Sequence, residues 1–529
     1  MRRRLVALAA GLALAALPAG PGRLAAQAGP SSYEELQRFS AVLNHIRTNY
    51  VDSVTYNGLV RAAIDGVLQS LDPHSWFSSR EDYERLNALE RGELATPGLA
   101  IEIVDGEPTV LTFRRGSPAD KAGLRASDRI VAVDDSVVAG LTAKALTLKL
   151  AGEKGTKVRV RIARGPRLEP DTFTVTLKRE FPKSGTSVEG VRLLDAQTGY
   201  LRLREFSPRA AEDVQDAIRR LRGMRARQVV LDLRGNPGGI VTEAVDLAAQ
   251  FLPANTLVFR TEGRKKAANE EYRTKGAGAF VDLPLVVLID EGSASAAEAF
   301  AGSMQDHDRA LILGRRSFGK ALMQTAFFVP DGVVMLTFGH VLTPNGRFIQ
   351  RRYKGLATKQ YYAYAGKGGT AADTATVYHT DHRRPMRGGG GITPDVTLPG
   401  VAAAPTWWSV AEDSTLIESV ADSVGLTLGT DAATRTAWLA DAAQWQPRLV
   451  VPFLAKVRAR LGIAARTDPA VEREIARRLA ARAAFVRWDD SSATELLAAS
   501  DPDIQAALTY FPRLSVLLSG STAGTAGGR

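Results

Sequence analysis

The chain contains no cysteine. That excludes a disulfide framework, a thiolate nucleophile and a cysteine-ligated metal. Histidine is scarce, with six residues in 529, and none falls in an H-E-x-x-H pattern. The "HTDH" stretch (379–382) pairs two histidines with one aspartate but lacks a second ligand group, so no metal site and no cofactor are expected. Beyond the N-terminus no apolar run approaches the length of a membrane span. Basic runs interleaved with aromatics are also missing. The net charge of +11 is scattered among acids, which argues against nucleic-acid binding.

What is present begins with "MRRRLVALAAGLALAALPAGPGRLAAQAGP". Three arginines precede an apolar run from Leu5 to Leu17, and Ala26-Gln27-Ala28 follows as a small-residue cleavage site. This is the layout of a secretory signal peptide over 1–28. The expected location is therefore periplasmic or otherwise extracytoplasmic, with membrane association only if the signal is not cleaved. Apolar content of 45% and charged content of 24% are those of a soluble globular protein long enough for several cores.

Organisation changes along the chain. Residues 31–95 carry helical spacing, with Leu36, Phe39, Leu43, Ile46 and Tyr50 on one face, then Val60, Ile64, Val67, Leu68 and Leu71 on another. Pro73 in "LDPHSWF" breaks that pattern. Residues 97–180 hold short β-type runs around two short helices. Residues 188–400 alternate strand and helix, which predicts an α/β core with a largely parallel sheet. Within it, 321–329 and 333–342 read as a hairpin around Asp331-Gly332. Residues 401–516 are helical again; the clearest start is Asp468-Pro469, followed by Val471, Ile475, Leu479 and Val486 on one face. Residues 517–529 read as a disordered tail. The class is multidomain α+β.

Three places in the α/β core bear on chemistry. "LDLRGNPGG" (231–239) is a strand ending in a glycine-rich loop. Gly238 and Gly239 there can offer backbone N–H groups to an oxyanion or a phosphate, or simply make a turn. "DEGSASAAEAF" (290–300) places Ser295 at a strand-to-helix turn, where it is either a nucleophile or a helix cap. If Ser295 is the nucleophile, the Ala296 N–H is a natural oxyanion donor. "SFGKALMQ" (317–324) sets Lys320 among Phe318, Leu322 and Met323. In a strand-like run, Lys320 and Gln324 would share a face. Desolvation lowers a lysine's pKa, so such a lysine can accept a proton. A serine–lysine dyad needs no histidine, although His307 is a conceivable base.

Taken in order, "LDPHSWF", "GSPADKAGLRASDRIVAVDD", "VVLDLRGNPGG", "DEGSASAAEAFAGSMQDHDRALILGRRSFGKALMQ", "LTPNGRFIQ" and "GGGGITPDV" resemble the carboxyl-terminal processing (tail-specific) proteases over roughly residues 33–400. The resemblance implies Ser295 as nucleophile, Lys320 as general base and Gln324 as the residue orienting that lysine. It implies an oxyanion hole from Ala296 and from Gly238 or Gly239, with slight preference for Gly239. Ala297 departs from the family, where many members carry another serine. The segment 97–180 resembles a PDZ domain whose carboxylate-binding loop lies at Gly98-Leu99-Ala100-Ile101. PDZ domains take an extended peptide as an added strand.

The reading is an exported serine endopeptidase acting at or near protein C-termini, with protein or peptide tails as partners. The alternative is a non-catalytic PDZ-containing scaffold or binding protein on the same fold; intact Ser295 and Lys320 argue against it. A crotonase-like acyl-transfer enzyme is disfavoured by the export signal and the PDZ-like segment. Residues 401–516 are expected either to extend the catalytic core or to mediate self-association or adaptor docking.

Overall fold

The computed structural model describes residues 31–519 except 105–106, 114–116, 125–127, 166–169, 182–185, 277, 357–359, 362–375, 401–407, 409–415 and 463–467. The expected signal peptide lies outside the described residues. So does most of the expected tail, whose first two residues instead finish a helix, Leu514–Leu518.

Among the described residues, 31–67 form a unit of their own. Its first helix, Ser32–Asn49, starts with a reciprocal cap: Ser31 N–H donates to Glu34 Oε2 at 2.6 Å, and Glu34 N–H donates to Ser31 Oγ at 3.3 Å. Of the apolar face expected there, Leu43 is buried, whereas Leu36, Phe39 and Tyr50 are exposed.

The remaining described residues build three cores. In the first, strands Leu99–Val104, Glu107–Phe113, Arg129–Val133, Lys157–Arg164 and Asp171–Lys178 form an antiparallel sheet in that order. Alternation buries Val158, Val160 and Ile162 against Leu146 and Leu150 of the helix Ala143–Leu150. Leu99–Val104 is one of the two edge strands, and that helix packs beside it.

The second core surrounds a six-stranded sheet. Its elements are β1 (Val188–Leu193), β2 (Thr198–Leu203), α1 (Ala210–Gly223), β3 (Gln228–Asp232), α2 (Val241–Ala248), β4 (Leu285–Ile289), α3 (Ala296–Asp306), β5 (Leu311–Gly314) and, later, β8 (Val396–Thr397). The order is β8-β5-β4-β3-β2-β1, parallel except for β1 against β2. Apolar residues on both faces make the sheet buried on both sides. Val229, Leu231, Val287 and Ile289 meet the helices α1–α3. Val230, Val286, Leu288, Leu311 and Leu313 meet Ile504, Ala507, Phe511 and Leu514.

A second sheet pairs β7 (Gly332–Leu342) with β6 (Leu322–Val329), Trp76–Ser78 and Leu257–Gly263. The β6–β7 hairpin forms as read, but its turn sits one residue earlier. Val329 pairs with Gly332, leaving Pro330 and Asp331 as the loop, and Asp331 takes φ 59°. Gly332 is required for packing: a Cβ there would lie 2.3 Å from the Phe77 ring.

The C-terminal helices divide. Leu416–Thr427 through Asp490–Ala499 build a third core around Trp438, Trp445, Phe453 and Leu479. Asp468 caps the helix Pro469–Arg487, accepting from the Ala470 N–H at 2.7 Å. Pro502–Tyr510 and Leu514–Leu518 instead cover the open face of the central sheet.

Candidate active site

The loops after β3 and β4 lie side by side at the carboxyl ends of neighbouring parallel strands, where open α/β sheets bind ligands. The β4 run Leu285–Ile289 is wholly buried and stops at Asp290. Residues 290–295 then turn into α3. Ser295 sits at that turn with φ 57° and ψ −114°, a conformation costing on the order of 1–3 kcal/mol for a non-glycine residue. The surroundings enforce it. Ser293 Oγ donates to Leu233 O at 2.8 Å, and Ala294 N–H donates to Asn236 O at 2.9 Å.

The glycine loop closes on the same turn. Gly238 adopts φ 98°, and a Cβ there would fall 2.8 Å from Ser295 Cβ and 2.9 Å from the Ala296 nitrogen. Only glycine lets the two loops approach this closely. The Gly238 N–H is already engaged, donating to Asn236 Oδ1 at 2.9 Å. Among the described residues, the N–H groups of Gly239 and Ala296 have no hydrogen-bond acceptor. Of the two glycines considered for an oxyanion donor, Gly239 is thus the one with its N–H available.

Glu298, which sequence reading passed over, organises the centre. It is 1% exposed. Its Oε2 accepts the N–H of Ser295 at 2.8 Å and the N–H of Lys320 at 2.8 Å. Its Oε1 accepts the Gly319 N–H at 2.6 Å and Ser317 Oγ–H at 2.5 Å. The backbone nitrogens of Ser295 and Lys320 are therefore no further apart than two hydrogen bonds laid end to end. Burial pushes the Glu298 carboxyl up to about 7, against four donors that favour its ionised form.

Lys320 precedes β6 and is not part of it. The expectation that Lys320 and Gln324 share a strand face is therefore corrected. Residues 319–321 stay out of the strand because side chains take up their N–H groups, Glu298 as described and Gln350 Oε1 for the Ala321 N–H at 2.6 Å, while the N–H groups of Ser317 and Phe318 donate to Ile392 O and Ser293 O in the surrounding loops. A register shift between Met323 and Gln324 displaces the pattern further. Gln324 Nε2 donates to Thr337 Oγ1 at 3.1 Å. Burial holds the Lys320 amine below the usual lysine range, and the Glu298 charge pulls part of the way back. Among the described residues the Lys320 amine makes no hydrogen bond, to Ser295 Oγ or to any other group.

His74 belongs to the same surroundings. Asp72 Oδ1 accepts the N–H groups of His74 and Ser75, each at 2.8 Å, which fixes the "LDPHS" turn. The His74 ring lies 3.2 Å from Tyr361 Oη, and burial with the nearby Lys320 charge lowers its pKa to about 4. His307 is committed elsewhere, to Asp381 at 2.8 Å and to Leu257 O at 2.7 Å. In the β-rich domain, Gly98 turns the chain with φ 83°, and its N–H donates to Thr96 Oγ1 at 3.2 Å. Leu99, Ala100 and Ile101 then open the edge strand.

The profile of peptidase family S41 matches residues 197–359, and that of the PDZ domain matches residues 109–164. The carboxy-terminal-processing protease of Bartonella bacilliformis is 32% identical over 326 residues, 60% of this chain and 74% of that protein. The chain belongs to the carboxy-terminal-processing proteases of family S41. Two further members agree. The carboxy-terminal processing protease CtpA of Bacillus subtilis is 30% identical, covering 63% of this chain and 69% of that protein. The carboxyl-terminal-processing protease of Synechocystis sp. is 33% identical, covering 55% and 68%. This S41 protease is a serine-type peptidase with a PDZ domain that binds peptide or protein substrates. No helix among the described residues is long and apolar enough to cross a membrane.

Two signals could have exposed Glu298 and His74. Ser295-Ala296-Ala297-Glu298 is a serine followed three residues later by glutamate, the spacing of a reciprocal helix cap. Asp72-Pro73-His74-Ser75 is an aspartate turn, quoted for the resemblance without a role for its histidine.

Proposed function

We propose that this S41 protease is exported and captures the C-terminal tail of a protein in its PDZ domain, then cleaves the chain near that end with Ser295 and Lys320. The observation carrying the proposal is the single Glu298 oxygen that accepts the backbone N–H of both residues. Neutral Lys320 takes the Ser295 proton as Oγ attacks the peptide carbonyl. The oxyanion falls to the N–H groups of Gly239 and Ala296. Lys320 returns the proton to the leaving amine, and water then hydrolyses the acyl-enzyme. Because the two side chains do not hydrogen-bond in this structure, the lysine end completes the dyad by rotating about its own side-chain bonds when substrate binds.

An unpaired edge at Leu99–Val104 beside the helix Ala143–Leu150 suits an added peptide strand. The tail carboxylate is assigned to the turn at Gly98-Leu99-Ala100-Ile101, and export to the segment 1–28. The test compares the wild type with Ser295→Ala and Lys320→Ala on a peptide with a free C-terminus and on its C-terminally amidated form. Both variants should lose cleavage by at least about 10³-fold, and the wild type should prefer the free acid. Cleavage by Ser295→Ala at the wild-type rate removes the proposed nucleophile.

A further inference from the structure

We propose that Asp503, in the first turn of the C-terminal helix Pro502–Tyr510, is a positioning residue for the peptidase reaction, tying the oxyanion loop and the nucleophile loop to one buried carboxylate. The inference rests on the reading of Ser295 as nucleophile. Asp503 lies far beyond residue 359, where the family match ends, and it is completely buried.

Its Oδ2 accepts from two arginines, Arg234 Nη1 at 3.2 Å and Arg315 Nη1 at 3.0 Å. Its Oδ1 accepts the Gly400 N–H at 3.1 Å. Arg234 begins the turn that ends at Gly239, and its guanidinium is also held by Asp232 at 2.7 Å. Arg315 follows β5, and its Nε lies 3.1 Å from both oxygens of Glu291, in the turn that ends at Ser295. The two turns are joined to each other as well: Gly235 N–H donates to Asp290 Oδ1 at 2.7 Å. Each half of the catalytic centre therefore has an arginine at its root, and both arginines end on the same carboxylate oxygen. Removing that charge leaves the two part-buried guanidinium groups to their other partners, Asp232 and Asp501 for Arg234 (Nη1 to Asp501 Oδ1 at 3.1 Å) and Glu291 for Arg315, and they shift toward those separate acceptors. Their movement is passed to the loops that set the Ser295 turn and the Gly239 N–H. The helix itself is anchored independently, by Ile504 and Ala507 on the open face of the sheet.

The experiment uses the full-length chain. Asp503→Asn keeps the side-chain shape and removes the charge. Its kcat on the free-acid peptide should fall about 10²-fold with KM little changed, since misplacement of about 1 Å from outside the chemistry has that effect. The rate at which a fluorophosphonate probe labels Ser295 should fall in parallel, because that probe needs the serine and oxyanion hole but not the tail. Circular dichroism establishes that the assayed protein is folded. Arg315→Lys keeps the positive charge but cannot bridge Glu291 and Asp503 together; it should show a smaller loss in the same two readouts and serves if Asp503→Asn does not fold. Wild-type kcat and labelling rate in whichever variant folds overturn the proposal, even if its melting temperature is lowered. Ser295→Ala separates the two readings: an active Ser295→Ala protein sinks the nucleophile, whereas an inert one beside a fully active Asp503→Asn sinks only the positioning role.

Discussion

Ser295 and Lys320 meet on one Glu298 oxygen, yet the two are held differently. The serine side is fixed from several directions: a strained turn, the Ser293 and Ala294 hydrogen bonds to the neighbouring loop, and Gly238 packed against its Cβ. The lysine side is fixed only at the backbone. Its N–H is bound by Glu298, while its amine, half-buried at the end of a flexible stem, has no hydrogen-bond partner among the described residues. Under the proposed mechanism, such an arrangement keeps the expensive part, the Ser295 turn with the free N–H groups of Gly239 and Ala296, assembled in advance. It leaves the inexpensive part, rotation of one side chain, to accompany substrate binding. A peptidase built this way holds its scissile machinery nearly complete without a standing dyad.

The sharpest way to break the comparison is on the rigid side. Gly238→Ala places a methyl group 2.7 Å from Ala294 O and 2.8 Å from Ser295 Cβ, so the turn has to move. The expected loss is on the order of 10²–10³-fold in kcat, the scale of losing one oxyanion donor. Peptide affinity, read as KM or by titration of the PDZ domain, should stay near wild type. A Gly238→Ala enzyme with wild-type kcat would mean that the serine loop is not rigid in the sense argued.

Glu298→Gln tests the shared anchor. Each carboxylate oxygen accepts two donors, so whichever way the amide is turned its NH₂ group faces two N–H or O–H groups. A kcat loss of about 10²-fold is expected from misplacement of both partners. The pH profile adds a signed check. Glu298 raises the Lys320 pKa by its charge, against the larger lowering by burial. Without that charge the Lys320 pKa falls further, more of the amine is neutral at a given pH, and the acidic limb of kcat/KM moves to lower pH. A limb that stays in place, or moves upward, would show that Lys320 is not the group being titrated.

Much of this was legible in residue order, and the misreadings have specific physical causes. Ser295 stood out because an apolar strand, a small-residue turn and a helix start coincide there. Glu298 did not, because a glutamate one turn into an alanine-rich helix looks like any helix cap; only the folded chain brings Ser317, Gly319 and Lys320 onto its carboxylate. Even spacing misled at Lys320 and Gln324 because the alternation rule holds inside a strand, and β6 starts two residues after the lysine. The C-terminal helices read as one region although Asp501-Pro502 repeats the helix-start signal of Asp468-Pro469. Which core a helix serves is decided by the face it meets, and the sheet face that needs Ile504 and Phe511 is built mainly by β3, β4 and β5, more than 180 residues earlier in the chain.

The smallest effect is expected on the lysine side. Gln324 donates to Thr337 Oγ1 at 3.1 Å in this structure, and the Thr337 N–H in turn donates to Ser75 Oγ at 3.2 Å. If Gln324 turns toward the lysine only when substrate is present, it exchanges one hydrogen bond for another, and deleting it forfeits about 1 kcal/mol, roughly fivefold in rate. Gln324→Ala should therefore lower kcat by about that factor, with unchanged labelling of Ser295 by a fluorophosphonate, since the serine loop makes no use of the glutamine. A loss as large as that of Lys320→Ala would instead mean that the amide holds the amine throughout catalysis. The lysine would then be as firmly fixed as the serine, and the contrast between the two sides would vanish.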